Sequence, residues 1–194
     1  MTPIPWPKVG FIGCGTHSTA NLYPMLRFAR CELAATCDLN GELAARNARI
    51  FGAPRHYTDY REMIAGEPLD AVMVVGPPEL HDEAARHALE HGLHVFVEKP
   101  LAMSSLEARD LIQLSESQSR VLMVGHVFEY NPAVAYIKQM IDGGDLGDLF
   151  YLYSRRVNLG RLQSDVNALW SIAPHDISIA LHLLGQMPEA VRCQ

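Results

Sequence analysis

Short apolar strands alternate with amphipathic helices through the first two thirds of the chain. Runs such as 71–75 and 94–97 are almost entirely apolar, and the segments between them carry apolar residues every three or four positions. Runs of this kind are typical of strands that are buried on both faces, as in a parallel sheet covered by helices. The pattern therefore predicts an α/β fold with an open, doubly wound parallel sheet. A closed barrel is excluded because too few strand–helix units precede the change of pattern at Gly125.

The predicted elements can be placed along the chain. Strands are expected at 8–13, 33–38, 56–57, 70–75, 94–97 and 121–124, and helices at 18–30, 41–51, 79–91 and 104–118. The apolar face of the first helix is expected to carry Leu22, Met25, Leu26 and Ala29, and Ser104 is a candidate N-cap of the fourth. After Gly125 the pattern predicts a helix at 132–141, a longer strand at 149–157 and a helix at 174–184. We predict a first domain at 1–124 and a second α/β domain that begins at 125 and runs to 194.

The composition narrows the classes of function. Acidic residues outnumber basic ones by 22 to 16, for a formal charge of −6, which does not suit a nucleic-acid or anionic-membrane surface. No stretch approaches the roughly 20 apolar residues of a membrane span, and the first residues lack the features of a secretory signal. The 4 cysteines form no C-x-x-C pair, so neither a zinc knuckle nor a redox dithiol is indicated. The expected location is the reducing cytoplasm.

A glycine-rich turn joins the first predicted strand to the first predicted helix. Its spacing is G-x-G-x-x-S, one residue away from the dinucleotide-binding fingerprint of Rossmann domains. Gly13 allows the tight turn, Gly15 lets a pyrophosphate approach the backbone, and the N–H groups of the helix start face the anion. Ser18 stands where the third glycine is usual, and its hydroxyl could donate to the ligand. The predicted phosphate-binding residues are Gly13, Gly15, Thr16, His17 and Ser18.

Asp38 ends the second predicted strand, 20 residues after Ser18. A carboxylate in this position accepts hydrogen bonds from the ribose 2′-OH of a dinucleotide and repels a 2′-phosphate. We therefore predict that the cofactor is NAD rather than NADP. The alternative is that Asp38 only caps the second helix.

Polar residues also follow two later strands. Pro77 and His81 come after the strand at 70–75, and Glu98 and Lys99 close the strand at 94–97. Ligands of open α/β sheets bind outside the carboxyl ends of the strands, so these residues are expected to share one crevice. Lys99 stands out because it is a charged group at the end of an apolar strand. The alternative is a lysine that extends to solvent.

These motifs together resemble the glucose–fructose oxidoreductase, inositol dehydrogenase and rhizopine-catabolism (Gfo/Idh/MocA) family. The resemblance rests on the turn at 13–18, on Pro77-Pro78 with His81, on Glu98-Lys99-Pro100 and on Gly125-His126 with Asn131-Pro132. It implies a Rossmann domain followed by an α/β domain with a large open sheet. It also implies pyridine-nucleotide redox chemistry on a sugar, cyclitol or related alcohol. Carried over, Lys99 contributes to catalysis and contacts the substrate hydroxyl or the cofactor, as a cation beside developing alkoxide charge or as a neutral proton acceptor.

The resemblance places a second catalytic residue after 125. His175 takes the position of the family's catalytic histidine, a credible general base for an alcohol. Where the common family pattern has Asp four residues earlier, this chain has Ser171, which cannot raise the basicity of the histidine. Either His175 works without that partner, or Asp176 or Asp165 substitutes for it. The alternative is a structural histidine.

The string from Arg155 to Trp170 resembles the branch of the family that acts on nucleotide-linked sugars, such as UDP-N-acetyl-glucosaminuronate. The substrate-binding residues implied are Lys99, Arg155, Asn158, Asp165, Asn167 and His175. Arg155 and Arg156 could bind a diphosphate or carboxylate through two bonds each, or form an exposed charge pair on an edge strand. The other histidine group, His87, His91 and His94, lacks acidic or cysteine ligands at suitable spacing, so no metal site is predicted.

Members of the family are usually much longer than 194 residues. Residues 188–194 resemble the start of another strand, so the second domain is expected to be incomplete here. With that domain completed, we expect a homo-oligomer. The sequence leaves two functions open: an NAD-dependent oxidoreductase acting on a sugar-type substrate, and a non-catalytic dinucleotide-binding fragment or regulatory remnant.

Overall fold

A computed structural model describes residues 5–157 and 168–192. The chain divides into two compact units, Met1–Gly125 and His126–Gln194. The first unit holds a six-stranded parallel sheet in the order β3-β2-β1-β4-β5-β6. Its strands are β1 Lys8–Ile12, β2 Glu32–Cys37, β3 Arg55–Tyr57, β4 Ala71–Val74, β5 His94–Val97 and β6 Leu122–Val124. Its helices are α1 Gly41–Phe51, α2 Tyr60–Gly66, α3 Pro78–Glu90 and α4 Ser105–Ser117. This confirms the predicted doubly wound Rossmann sheet.

The strand order sets the place of a ligand. The chain builds outward from β1 through β2 to β3, and then returns to add β4 on the other side of β1. The carboxyl ends of β1 and β4 therefore border the crevice at which the direction of winding reverses, where ligands of such sheets bind. The residues predicted for the cofactor follow the strands that border or flank this crevice.

The sheet is buried on both faces, as the continuous apolar runs predicted. Val72, Val74 and Val97 have no exposed surface. The apolar cluster around these residues includes Ala84, Ala85, Ala88 and Leu89 of α3. A second cluster holds Phe11 and Tyr23 with Ala44 of α1. At about 25 cal/mol per Å² of apolar surface removed from water, these two layers supply most of the stabilisation of the unit.

Polar side chains cap the N-termini of α4 and α1, and the cap predicted at Ser104 is confirmed. Ser104 forms a capping box with Glu107, in which each side chain accepts a backbone N–H of the other residue. The side chain of Asn40 caps α1 by accepting from the N–H groups of Glu42 and Leu43. Asn40, and not Asp38, is therefore the N-cap of α1.

The helix predicted at 18–30 is wrong as a regular α-helix. A π-helical turn at Ser18–Leu22 is followed by a 3-10 segment at Tyr23–Phe28. Pro24 has no N–H to continue an α-helical ladder, and its ring would clash with the preceding turn. The change of winding turns Tyr23 inward, where its ring stacks on Phe11 at 4.0 Å, and leaves Met25 half exposed.

One helix was not predicted. Residues Tyr60–Gly66 form α2, whose N-cap Asp59 accepts from the N–H of Arg61. Met63 of α2 is fully buried against the sheet. A segment of this length presents fewer than two helical turns, so its apolar period is too short to recognise.

The second unit differs from its prediction. Its helices are α5 Pro132–Asp142 and α6 Ala168–Leu184, with a 3-10 turn at Val127–Tyr130. The strand predicted at 149–157 is not formed, and Phe150 is 90% exposed. The described residues of this unit contain no strand that could pair with the segment 149–157. Its backbone N–H and C=O groups therefore have no strand with which to form sheet hydrogen bonds. The start of α6 was placed six residues too late because Pro174, expected to open the helix, lies inside it.

Candidate functional site

The first half of the glycine-rich turn is packed against the sheet. Gly13 has a φ of +104°, and its N–H donates to the carbonyl of Cys37 at 2.7 Å. A Cβ on Gly13 would lie 1.8 Å from the carbonyl oxygen of Val75. Only glycine fits this position, and through it the turn after β1 is set against the residues that follow β4.

Gly15, two residues later, faces open space. Nothing lies within 4 Å of the position that its Cβ would take. The backbone of the turn is therefore accessible at the point where a pyrophosphate would approach, and the helical N–H groups that follow can bind an anion. The residues present fit a dinucleotide phosphate here.

Ser18 does not present its hydroxyl to this space. The side chain is 1% exposed, and its hydroxyl donates to the carbonyl of Gly15 at 3.0 Å. The hydroxyl thus stabilises the turn from within, and a bond from Ser18 to a ligand stays a prediction.

A buried polar network behind the turn was not predicted. The amide of Asn47, which has no exposed surface, donates to the hydroxyl of Thr19 at 2.8 Å. Thr19 in turn donates to the carbonyl of Cys14 at 3.1 Å. The signal for it in the sequence is Asn47 itself, a polar residue on the otherwise apolar buried face of α1.

Asp38 contacts the turn directly. Its Oδ2 accepts the N–H of Cys14 at 2.7 Å, and its Oδ1 accepts the N–H of Asn40 at 2.9 Å. Each carboxylate oxygen keeps a lone pair with which it can accept a ribose hydroxyl. Asp38 thus holds the middle of the G-x-G sequence as well as lying where a ribose would bind.

Cys14 itself is not placed for chemistry. Its side chain is fully buried, and its Sγ lies 3.2 Å from the hydroxyl of Tyr23. Burial raises the pKa of the Cys14 thiol to about 11. The thiol is therefore protonated near neutral pH, and its side chain packs as a small apolar group.

The loop after β5 carries Glu98 and Lys99. Glu98 is 8% exposed, and its Oε2 accepts the N–H of Lys99 at 3.1 Å. Its Oε1 lies 3.8 Å from Nε2 of His17, whose Nδ1 accepts from the side chain of Asn21 at 3.1 Å. The structure therefore brings the end of the glycine-rich turn to the loop that carries Lys99. Thr16 is exposed on the same turn.

Room for the Glu98 carboxylate comes from Gly125. A Cβ on Gly125 would lie 2.9 Å from Oε1 of Glu98. Gly125, where the strand–helix pattern of the sequence changes, is thus also a position at which a larger residue would crowd the Glu98 carboxylate.

His81 is buried rather than placed in the crevice. Its ring is 1% exposed, with Nδ1 2.6 Å from the carbonyl oxygen of Pro100 and Nε2 3.0 Å from that of Gly76. Both ring nitrogens face backbone carbonyls, and binding of the cofactor by His81 stays a prediction. Pro77 is exposed and is the N-cap residue of α3.

In the second unit, His175 lies in α6 with its ring edge-on to Phe128, the two centroids 4.9 Å apart. The carboxylate of Asp176 accepts from Nε of Arg156 at 2.7 Å and from the hydroxyl of Ser154 at 2.9 Å. The hydrogen bond from Arg156 lowers the pKa of Asp176. The carboxylate suggested as a substitute for the missing Asp at 171 is thus bound by Arg156.

The remaining substrate-binding predictions are only partly described. Arg155 is exposed, whereas its neighbour Arg156 lies over the Phe128 ring at 4.6 Å. Asn158, Asp165 and Asn167 lie outside the described residues.

Two of the three histidines near α3 hydrogen-bond to the backbone through their rings. Nδ1 of His91 lies 2.7 Å from the carbonyl oxygen of His87, and Nδ1 of His94 accepts the N–H of Val121 at 2.9 Å. Among the described residues, no group of three or more His, Cys, Asp or Glu side chains could hold a metal ion. No helix in the described part of the chain is long and apolar enough to cross a membrane.

A Rossmann sheet with an open glycine-rich turn, a carboxylate after β2 and a lysine after β5 defines a dinucleotide-binding domain of the oxidoreductase class. Residues 7–126 match the family model described as "Oxidoreductase family, NAD-binding Rossmann fold" (GFO_IDH_MocA). The chain belongs to this family, and the matched region is its NAD-binding domain. The family resemblance and the NAD cofactor predicted from the sequence are confirmed.

The chain is similar to two curated relatives and to one solved structure. The 4-carboxy-2-hydroxymuconate-6-semialdehyde dehydrogenase of Sphingobium sp. is 29% identical over 94% of this chain and 61% of its own length. The UDP-N-acetylglucosamine 3-dehydrogenase of Acidithiobacillus ferrooxidans is 29% identical over 95% of this chain and 56% of its own. An NAD binding oxidoreductase from Klebsiella pneumoniae matches with a TM-score of 0.76 and 28% identity, over 93% of this chain and 54% of that one. The chain thus spans between half and two thirds of the length of these proteins.

Proposed function

We propose that this chain acts as an NAD-dependent oxidoreductase. The enzyme would transfer a hydride between the nicotinamide ring and a secondary alcohol or ketone of a sugar-type substrate. The observation that carries the proposal is the meeting, in one unit, of the open turn at Gly15 with the loop that presents Lys99. Bound there, NAD would supply the hydride acceptor at its nicotinamide ring, or NADH the hydride. The protein supplies the binding site, the orientation and the charge.

The adenosine half of the cofactor is assigned to the turn and to Asp38. Backbone N–H groups beside Gly15 would bind the pyrophosphate, and the free lone pairs of the Asp38 carboxylate would accept the ribose hydroxyls. A carboxylate at this position repels a 2′-phosphate. We therefore propose NAD over NADP.

Lys99 is proposed as the residue that handles the reacting oxygen. It lies partly buried at the carboxyl end of β5, and the N–H of Lys99 is fixed by the buried Glu98 carboxylate. A positioned ammonium beside a carbonyl stabilises the alkoxide charge that develops when hydride is added. In the opposite direction the same charge favours loss of the hydroxyl proton.

For the second unit, we propose His175 as the residue that takes up or returns the hydroxyl proton. The resemblance to the family and the position of His175 in α6 support this role. Arg155 is proposed to contact an anionic part of the substrate because its side chain is exposed, whereas Arg156 is paired with Asp176. A nucleotide-linked sugar would offer such an anion, and one relative named above is a UDP-N-acetylglucosamine dehydrogenase.

The proposal is tested by NADH formation in the presence of a panel of polyols, sugars and nucleotide sugars, with NADH binding measured on the same preparations. Lys99→Met keeps most of the length of the side chain and removes its charge. We expect it to bind NADH as the parent chain does and to lower kcat about 100-fold or more. A parent chain that binds NADH but turns over nothing on the panel would favour the non-catalytic dinucleotide-binding alternative.

A further inference from the structure

The contacts of His81 are unusual for a buried histidine. Its ring lies in the first turns of α3 and is 1% exposed. Nδ1 is 2.6 Å from the carbonyl oxygen of Pro100, and Nε2 is 3.0 Å from the carbonyl oxygen of Gly76. Both ring nitrogens thus lie within hydrogen-bond distance of a group that can only accept.

An imidazole N–H donates a hydrogen bond, whereas a backbone carbonyl can only accept one. The buried ring lies between the carbonyl after β4 and the carbonyl after Lys99, within hydrogen-bond distance of both. We propose that the His81 ring ties the loop after β4 to the loop after β5 and so positions Lys99.

The two tied carbonyls belong to the loops that border the crevice. Gly76 directly follows Val75, whose carbonyl packs against the Gly13 turn. Pro100 directly follows Lys99. His81 is therefore a positioning residue, because its buried ring acts on the reaction only through these backbones. The role of Lys99 itself rests on the proposed function.

The direct test is amide hydrogen exchange of the ligand-free chain around Gly76 and Lys99, compared between the parent chain and variants at His81. The measurement uses no cofactor and no turnover, so it is independent of the proposed function.

Variants test the consequence for the crevice. His81→Phe fills similar volume without donors, and His81→Gln restores one donor. We expect the Phe variant to speed amide exchange around Gly76 and Lys99 and to weaken NADH binding about tenfold, with the Gln variant intermediate. His91→Phe, at an exposed histidine beyond the end of the same helix, is the matched control and should match the parent chain. A Phe variant with the exchange rates and NADH affinity of the parent chain would contradict the positioning role.

Discussion

Gly13 and Gly15 are two residues apart in one turn, and the structure gives each a different physical requirement. Gly13 has a positive φ and no room for a Cβ, because the carbonyl of Val75 would lie 1.8 Å away. Gly15 has neither restriction, and the space beside it is open. The fold therefore requires a glycine at 13 but not at 15, where we propose that the open space admits a ligand to the backbone.

Gly13→Ala is expected to destabilise the protein by about 3 kcal/mol. An alanine there would have a strained positive φ, and its Cβ would clash with the carbonyl oxygen of Val75. Urea unfolding followed by circular dichroism measures the change. Gly15→Ala is the matched control and should unfold within about 0.5 kcal/mol of the parent chain. Equal stability of the two variants would contradict the packing of Gly13 against Val75.

Asp38 has one contact that the sequence did not indicate and one proposed role that it did. The spacing from the glycine turn predicted a ribose carboxylate, but nothing in the sequence indicates its 2.7 Å bond to the N–H of Cys14. That bond depends on how β1 and β2 pair. His81 is a similar case, because its partners are backbone carbonyls of two loops brought together by the sheet. Residue types and spacings can be read from a sequence, whereas backbone partners distant along the chain cannot.

Asp38→Ala is expected to weaken NADH binding by about 10- to 100-fold, since it removes a charged hydrogen-bond acceptor from both the ribose and the turn. It should not improve NADPH binding to the level of NADH in the parent chain, because the turn that both cofactors need is loosened. Titration with each reduced cofactor checks this. Asp38→Asn, which keeps one acceptor oxygen, should lose less. A clean switch of preference to NADPH would show that the bond to Cys14 does not matter.

Asp176 is the residue whose pH dependence follows from its contacts. The hydrogen bond from Arg156 lowers its pKa, so Arg156→Met should raise the pKa of Asp176 toward the ordinary value for aspartate. Because the folded pKa lies below the unfolded one, the pair stabilises the fold above the unfolded pKa, and this stability is lost as pH falls through the folded value. Carboxyl NMR titration measures the shift. Arg155→Met should leave the pKa unchanged, and an equal effect of both variants would contradict the pairing.

At the scale of the elements, predictability followed the length and regularity of the pattern. Continuous apolar runs marked the strands of the sheet, and α1 was predicted with its observed ends at Gly41 and Phe51. The segment after the glycine turn failed because Pro24 changes the winding, which an apolar period does not record. The extended strand at 149–157 failed for a different reason. A strand exists only with a neighbour, and strand propensity alone does not supply one.

The capping box of α4 gives a prediction at this scale. Ser104→Ala removes the acceptor of the Glu107 N–H and should lower the free energy of unfolding by about 1 kcal/mol. Equilibrium unfolding in urea measures it. Ser105→Ala, one residue into the helix, is the control and should have an effect below about 0.5 kcal/mol. If both variants lose the same amount, the box contributes nothing specific.

At the scale of the whole molecule, the first unit brings the turn after β1 close to the loop after β5. Its doubly wound parallel sheet, its glycine turn and the carboxylate after β2 were predicted from the sequence, because each depends on local residue type or on the alternation of strands and helices. The second unit holds the candidate proton-handling residue His175 on α6. The chain matches relatives over little more than half of their length, so their substrates enter here only as a proposal.

The most direct test of this account is calorimetric titration of the parent chain and of Gly15→Val with NADH. A valine at 15 would place its side chain in the open space beside the turn without meeting any atom of the fold within 4 Å of its Cβ. We predict saturable NADH binding by the parent chain, a loss of at least about 100-fold in the variant, and thermal unfolding of both within a few degrees. Unchanged NADH affinity in a folded Gly15→Val variant would contradict the central claim that the dinucleotide binds at this turn.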